Sequence, residues 1–163
     1  MNGTEARDAI WRPDVTVATV VPRDGRFLIV EEVSDGRLVL NQPAGHLEPL
    51  ESLADAAVRE TFEETGWRVE LTGLVGVYQW HRPEDDFHVL RVAFAAAPLS
   101  HDAAHALDTG ILRALWLTRT ELAAQVERHR SPMVLRNIDD FLAGRMHPID
   151  SLVSLLPQAS MPR

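Results

Sequence analysis

The alternation of hydrophobic and polar positions predicts two strands at the start of the chain. Residues 14–21 (DVTVATVV) and residues 26–32 (RFLIVEE) are rich in apolar and β-branched side chains, and turn residues 23–25 separate them. Short runs of this kind, bounded by turn residues, are typical of strands. We therefore predict that the two runs form a hairpin. A second turn at residues 34–36 leads through a short strand to a loop that contains Gly45.

A second group of apolar runs lies in the middle of the chain. Residues 68–80 predict one long strand, or two strands with a break at Gly73 or Gly76. Residues 87–96 are mostly apolar, which is typical of a strand buried on both faces in the middle of a sheet. We expect this strand to pair with the preceding one across a polar loop. Residues 114–117 (ALWL) predict the end of a further strand after a loop.

One long helix is predicted over residues 53–65. Ser52 can cap its N-terminus, its interior contains no glycine or proline, and Gly66 stands where a left-handed residue often ends a helix. The helical periodicity predicts one buried face, which includes Phe62, and an opposite face that is free for chemistry.

Two shorter helices are predicted near the end of the chain. Thr118 and Glu121 form a capping box in front of residues 119–126. Ser131 can cap a last helix over residues 132–143. Strands interleaved with three helices predict an α/β fold in which a mixed sheet lies between helical layers.

Length and composition fit one domain. The chain has 163 residues, and 45% of them are hydrophobic, which is enough to form a core. We predict a domain over residues 13–150, an N-terminal extension over residues 1–12, and a C-terminal tail over residues 151–163 that is disordered from residue 158. The chain contains no cysteine, and its N-terminus lacks the apolar run of a secretion signal. We therefore expect a cytoplasmic protein with no membrane partner.

The charge of the chain restricts its partners. A formal net charge of −8 and a pI near 5.3 argue against binding of a nucleic acid polymer, which needs a basic face. The seven histidines are scattered and show no HExxH or HxH spacing, so a zinc site is not expected. A small anion could bind if a cation separated it from the acidic residues.

The long helix carries a cluster of carboxylates on the face that we expect to be free for chemistry. Glu60, Glu63 and Glu64 lie three and four residues apart, so their side chains share one side of the helix. Like charges repel in this arrangement, so the cluster is either solvated or holds a cation, and oxygen ligands favour Mg²⁺ or Mn²⁺. Arg59 precedes Glu63 by four residues and can orient it. Two alanines one turn earlier leave room beside the glutamates.

Eight positions in and around this helix form a pattern with fixed spacing: Gly45, Glu51, Arg59, Glu60, Glu63, Glu64, Gly66 and Trp67. This pattern resembles the Nudix box. Thr61 is the departure, because most members of that family have an aliphatic residue there, and a threonine can still direct its methyl group to the core. An acidic helix without a ligand is the alternative, but such helices seldom carry this glycine and arginine spacing.

The resemblance extends beyond the box. The segments NQPAGHLE, YQWHRP, LDTGILRALWLT and RSPMVLRNIDDFLAG together resemble the NudJ-type phosphatase branch of the family. The resemblance implies an α/β/α sandwich and a Mg²⁺-dependent hydrolase that releases phosphate from nucleoside di- and triphosphates and thiamine-type pyrophosphates. Two alternatives stay open. One is a Nudix pyrophosphatase acting on ADP-ribose, a dinucleoside polyphosphate or an oxidised nucleotide, and the other is a regulatory domain that only binds a nucleotide.

The resemblance also implies roles for the residues of the box. Glu60 and Glu64, with the carbonyl group of Gly45, would be the main ligands of Mg²⁺ or Mn²⁺. Glu63 would bind metal or act as the general base. Two residues would hold these glutamates in place: Arg59 and Glu51.

Five residues outside the box are candidates for contact with the substrate: Trp80, His81, Arg82, Arg91 and Asp108. Core packing is the alternative for Trp80, a charge on a sheet face for Arg91, and a solvated turn for Asp108, which could otherwise be a base. We expect Glu31 and Glu32 to be solvated. The expected partner is a small-molecule phosphoanhydride, and the sequence leaves a monomer and a homodimer open.

Overall fold

The computed structural model describes residues 10–157, which form eight strands and three α-helices. The strands are β1 (Asp14–Val20), β2 (Pro22–Arg23), β3 (Arg26–Ser34), β4 (Arg37–Asn41), β5 (Ala44–His46), β6 (Trp67–Arg82), β7 (Phe87–His101) and β8 (Ile111–Thr118). The helices are α1 (Leu53–Thr65), α2 (Arg119–Ala123) and α3 (Met133–Leu142), with short 3₁₀ turns at Val126–Arg128 and Ile149–Ser151.

The strands form two four-stranded sheets. In the first sheet the order is β5-β1-β7-β6, and it is mixed because β1 runs parallel to β7 while the other pairs are antiparallel. In the second sheet β3 pairs with β2, β4 and β8, all antiparallel. Strand β7 lies between two neighbours, which confirms the prediction from its apolar sequence.

The side chains of β7 show how the layers are arranged. Successive residues of a strand point to opposite faces. Val92 and Phe94 pack in the core that includes α1, whereas Ala93 and Ala95 pack in the core that includes α3. The first sheet therefore lies between helices, and the predicted α/β/α sandwich with a mixed sheet is confirmed.

Helix α1 begins and ends where its sequence predicts. The side chain of Ser52 accepts a hydrogen bond from the backbone N–H of Asp55 at 3.0 Å. Gly66 ends the helix at φ 71°, and its N–H donates to the carbonyl group of Phe62. Asp102 N–H in turn donates to the carbonyl of Gly66 at 2.9 Å, which ties the helix end to the loop after β7.

The predicted hairpin of residues 14–21 and 26–32 is wrong. Strand β1 pairs with β5 and β7, and β3 belongs to the other sheet. The physical reason is burial, because all residues from 16 to 20 are buried, as in an interior strand that needs a neighbour on each edge. The turn joins β3 only to the two-residue strand β2.

Several boundaries differ from their predictions. Strand β6 is one long strand with irregular pairing at Gly73 and Gly76, so neither glycine breaks it. Helix α2 stops at Ala123. The N-cap of α3 is Pro132, although the hydroxyl of Ser131 still accepts from the N–H of Met133 at 3.2 Å. The predicted disorder of residues 158–163 lies outside the described residues. Within residues 10–157, none of the helices has the length and hydrophobicity needed to cross a membrane.

Candidate active site

Two carboxylates of the cluster, those of Glu60 and Glu64, lie on the buried face of α1, whereas Glu63 is partly exposed. Ala56, Ala57, Glu60 and Glu64 are all buried, so the prediction that the glutamates lie opposite the buried face is wrong. The alanines pack against the core of the first sheet and do not leave room for a ligand. Because their side chains are small, the helix can approach the sheet closely, and the glutamates of the next turn are carried into the interior with them.

Arg59 holds the carboxylates of the cluster together. Its guanidinium donates to Glu51 Oε1 at 2.6 Å, to Glu60 Oε1 at 2.8 Å and to Glu63 Oε2 at 2.9 Å. It also donates to the backbone carbonyl of His46 at 3.1 Å. The bond with Glu51 is the main reason why the pKa of Arg59 is raised and that of Glu51 lowered. Arg59 therefore stays charged and restricts the positions of three carboxylates.

Glu64 is the most deeply buried carboxyl group of the cluster. Its Oε2 accepts a hydrogen bond from the N–H of Ala44 at 2.9 Å. Burial raises its pKa to about 9, and burial likewise raises the pKa of Glu60 above its ordinary value. Both carboxyl groups are thus in an environment that disfavours an isolated negative charge, and a bound cation would relieve this cost.

The backbone of β5 approaches Glu60 very closely. A β-carbon placed on Gly45 would collide with the carboxyl group of Glu60, so only glycine leaves that carboxylate in its present position. The strand is held there by its antiparallel pairing with β1, in which Gly45 lies opposite Val17.

The loop before β8 brings a further carboxylate to the cluster. One oxygen each of Glu60, Glu63 and Asp108 lies within 4.8 Å of the others. Asp108 is exposed, and its N–H donates to the carbonyl of Glu63 at 3.1 Å, which fixes the loop to the end of α1. Asp108 is thus both a solvated loop residue and close to the cluster, so a role as a base stays a prediction.

A cavity of about 310 Å³ opens beside these carboxylates. Its lining includes Gly45, Glu60 and Glu64 together with Trp80 and Arg91. Further lining residues were not predicted from the sequence to belong to a site: Thr16, Asn41, Phe87, Val89, Arg130, Ser131 and Met133. They come from four separate segments, and the one local signal among them, the helix cap at Ser131, does not indicate a site.

Arg91 is the most unusual residue of this cavity. Its side chain is 5% exposed, and it donates only to neutral oxygens, Asn41 Oδ1 at 3.3 Å and Thr16 Oγ1 at 3.5 Å. Within residues 10–157 no hydrogen bond or ion pair joins it to a carboxylate, and the charges of Glu32 and Glu64 act on it only through space. Burial lowers its pKa to about 10, so the guanidinium is still charged at neutral pH. A buried arginine of this kind is costly without an anionic partner.

A second, larger cavity of about 760 Å³ adjoins the first, and Trp80 and Arg130 line both. Arg82 lines only the larger one, where it forms ion pairs with Asp85 and Asp35. His81 lines neither cavity, so the structure does not bring it together with the other candidates.

The expectation that Glu31 and Glu32 are solvated is wrong. Glu31 is 4% exposed and forms ion pairs with Arg113 at 2.9 Å and with Arg128. Glu32 lines the smaller cavity and forms an ion pair with Arg130 at 3.2 Å. The cause is that β3 continues to Ser34 and is covered by β4 and β8 on its edges, which the turn signal did not show.

Buried carboxylates and a buried arginine in one cavity, on an α/β/α frame, are typical of an enzyme site that binds a cation and a small phosphorylated compound. The family model of the NUDIX domain matches residues 11–137. The chain belongs to the Nudix family of hydrolases, which act on phosphoanhydride bonds.

Individual relatives agree with this assignment. The chain is 36% identical over 143 residues to Phosphatase NudJ of Escherichia coli K12, covering 88% of this chain and 92% of the relative. It is similar to the solved structure of a NUDIX hydrolase from Nitrosomonas europaea, with 42% identity, a TM-score of 0.86, and coverage of 88% of this chain and 97% of that one. A MutT NUDIX hydrolase from Burkholderia pseudomallei shares the fold at 19% identity, with a TM-score of 0.69 and coverage of 80% and 98%.

Proposed function

We propose that this protein is a Mg²⁺-dependent phosphohydrolase that releases phosphate from nucleoside di- and triphosphates and from thiamine-type pyrophosphates. The observation that supports this best is that Glu60, Glu64 and Arg91 all line one cavity of limited size. Buried carboxylates are suited to a divalent cation, and a buried guanidinium is suited to a phosphate group.

The residues present fit a hard divalent cation. All candidate donors are oxygens, from the carboxylates of Glu60, Glu63 and Glu64 and the carbonyl of Gly45, and Mg²⁺ or Mn²⁺ prefers such donors. Such an ion, when bound, neutralises phosphate oxygens and activates water. Arg59 and Glu51 act as positioning residues, because their hydrogen bonds restrict the carboxylates before any ligand arrives.

The substrate phosphate is assigned to Arg91, with Arg130 at the border of the two cavities. The guanidinium of Arg91 can exchange its long bonds to neutral oxygens for charge-assisted bonds to phosphate oxygens. Trp80 offers an aromatic surface to the organic group, and the larger cavity offers space for it. Contacts of this kind do not read the edges of a base, so we expect a broad range of organic groups.

Two carboxylates are candidates for the general base. Glu63 is restrained by Arg59 at 2.9 Å, whereas Asp108 lies on the exposed loop and has its oxygen within 4.8 Å of those of Glu60 and Glu63. Either can accept a proton from water at the edge of the cluster. Replacement of each in turn, with the Mg²⁺ affinity measured beside kcat, would separate them: loss of the base lowers kcat alone, whereas weaker Mg²⁺ binding would identify the residue as a ligand.

We also propose the domain bounds of residues 13–150, which extend past the matched residues 11–137 because α3 and the following turn pack on the first sheet. A cytoplasmic location and a monomeric or dimeric state remain predictions.

The similarity to a protein named a phosphatase supports release of phosphate over release of pyrophosphate.

A panel of substrates with identification of products tests the proposal. We expect phosphate from GTP, GDP and thiamine pyrophosphate in the presence of Mg²⁺, little turnover of ADP-ribose, and loss of activity with EDTA. Glu64→Gln should be inactive, whereas Glu70→Gln, which changes an exposed glutamate of β6, should not. Pyrophosphate as the sole product from GTP, or ADP-ribose as the best substrate, would favour the other Nudix pyrophosphatases. Binding of GTP without turnover would favour a regulatory domain.

A further inference from the structure

A group of two histidines and an aspartate lies at the tip of the β6–β7 hairpin. Nε2 of His81 and Nε2 of His88 lie 2.9 Å and 3.0 Å from the same atom, Oδ1 of Asp86. One donor atom of each residue lies within 4.8 Å of the other two. The two imidazole rings are stacked, with centroids 4.1 Å apart and planes 14° apart. Three potential metal ligands therefore converge on one point.

The hairpin explains why these side chains meet. His81 and His88 are directly opposite in the antiparallel register of β6 and β7, so both project from the same face. Asp86 has a positive φ of 53°, and this left-handed turn conformation returns its carboxylate to the two imidazoles. Six residues lie between the histidines in the chain, and their spacing carries no zinc signature. Their proximity depends on the register alone.

The donor chemistry of this group differs from that of the carboxylates on α1. Two imidazoles and one carboxylate suit first-row transition metals such as Zn²⁺, Ni²⁺ and Cu²⁺, whereas Mg²⁺ prefers oxygen donors only. The adjacent residues Glu84 and Asp85 add negative charge to the loop, and Arg82 compensates part of it through its bonds to Asp85. The local charge thus favours a cation.

The group is separate from the cavity. Trp80 and Phe87, which line the cavity, neighbour the histidines in sequence, and neighbouring side chains of a strand point to opposite faces. Trp11 contacts His88 on this outer face, with ring centroids 4.9 Å apart in an edge-on arrangement. The group of His81, Asp86 and His88 therefore lies on the face of the hairpin opposite to the cavity, and a ligand there would not occupy the cavity.

We propose that His81, Asp86 and His88 form a second metal site, which binds one transition-metal dication of the Zn²⁺ class and joins the two strands of the hairpin. Zinc bonds to imidazole nitrogen are about 2.0–2.1 Å long, so the histidines must move closer to a common centre than they now are to the Asp86 oxygen. All three side chains are at least partly exposed and can make this adjustment. A water molecule would complete a tetrahedral set, as in sites with three protein ligands.

Calorimetric titration of the whole protein with Zn²⁺ in excess Mg²⁺ tests the site, because Mg²⁺ competes for the carboxylates of α1. We expect one Zn²⁺ per chain. Because even an outer-shell partner contributes about 10–100-fold to metal affinity, His81→Asn and His88→Asn should each weaken binding by at least about tenfold. His147→Asn is the matched control, since this exposed histidine pairs with Leu74 in the middle of β6, away from the tip of the hairpin, and it should leave the affinity unchanged.

Other outcomes would overturn the site. Binding that persists in His81→Asn and His88→Asn but disappears in Glu64→Gln would place Zn²⁺ at the carboxylates. No binding in excess Mg²⁺ would show that the three side chains are only a hydrogen-bonded group. If a histidine variant fails to fold, the imidazole NMR signals of the unmodified protein decide. Those of His81 and His88 should shift together at one equivalent of Zn²⁺, and signals that do not move would refute the proposal.

Discussion

Replacement of Gly45 by alanine separates the catalytic geometry of this protein from its stability. Gly45 lies in β5 without a positive φ, so an alanine there causes no backbone strain. The added methyl group would lie 2.1 Å from the carboxyl carbon of Glu60, whereas ordinary contacts begin at 3.4 Å. The carboxyl group must therefore retreat by about 1.3 Å. Since it is the end of a flexible side chain, this movement is possible without disturbing the core.

The expected effects on activity and stability differ in size. A displacement of about 1 Å in a reacting group can cost about 100-fold in rate, which corresponds to about 2.7 kcal/mol. Glu60 would also leave its 2.8 Å contact with Arg59, so the restraint on the cluster is weakened. Stability should change by less than about 1 kcal/mol, because alanine reduces the entropy of the unfolded chain and offsets part of the local disturbance.

Steady-state kinetics on a nucleoside diphosphate, together with urea unfolding, measure both effects. We expect kcat/KM to fall by about 100-fold while the urea midpoint stays close to that of the unmodified protein. Gly73→Ala is the matched control, because its methyl group would mainly meet a flexible side-chain end, that of Met146 at 2.4 Å, with the backbone oxygen of His147 at 3.3 Å. Activity of Gly45→Ala within about twofold of Gly73→Ala would refute the assigned role of the Glu60 position.

Three further predictions follow from the same contacts. If Arg59 orients Glu63, as we propose, and does not bind substrate, Arg59→Ala should lower kcat more than it raises KM, by about 10-fold or more. A change in KM alone would contradict this. Mg²⁺ at 100 times its Kd should raise Tm by roughly 5–10 °C, and Glu64→Gln should largely abolish the shift in a thermal scan; equal shifts would reject the site. The hydrogen bond from Arg128 lowers the pKa of Glu31 in the folded protein. The ionised Glu31 therefore stabilises the fold above its unfolded pKa of about 4.3, and this contribution to the free energy of unfolding is lost as pH falls through the lower folded pKa. Glu31→Gln should thus cost about 1–2 kcal/mol at pH 7, with the difference disappearing in acid, as urea titrations at several pH values can show.

Local signals in the sequence were sufficient for the presence of the three helices and for the identity of the box, but not for the end of α2. The caps of α1, at Ser52 and Gly66, depend on contacts within a few residues, and the structure shows them as expected. The capping box of Thr118 and Glu121 is of the same kind. The fixed spacing of carboxylates on one helix is also a local property, because a regular helix determines which side chains share a side.

The pairing of the strands and the burial of individual side chains were not predictable from local signals. Strand β1 has the alternation of a hairpin strand, but its partner is decided by which edge is free, and β5 and β7 occupy both of its edges. The burial of Glu60 depends on the small size of Ala56 and Ala57, and the helical period alone placed the glutamates on the wrong side. Arg130 lines the cavity because the segment before α3 passes beside it. A single arginine in front of a helix cap has no distinctive sequence pattern, so this position could not be predicted.

The burial of charged groups in the cavity couples the binding of a cation to the binding of a phosphate. Burial raises the pKa of Glu64 and lowers the pKa of Arg91, so each group is less stable as an ion than it would be in water. Native proteins retain such unfavourable groups mainly at functional sites, where a ligand supplies the missing partner. A cation beside Glu64 and a phosphate beside Arg91 would each stabilise the charged form of its neighbour and attract the other ligand. We therefore expect cation and phosphorylated substrate to bind more tightly together than either binds alone, since coupling between two sites is reciprocal.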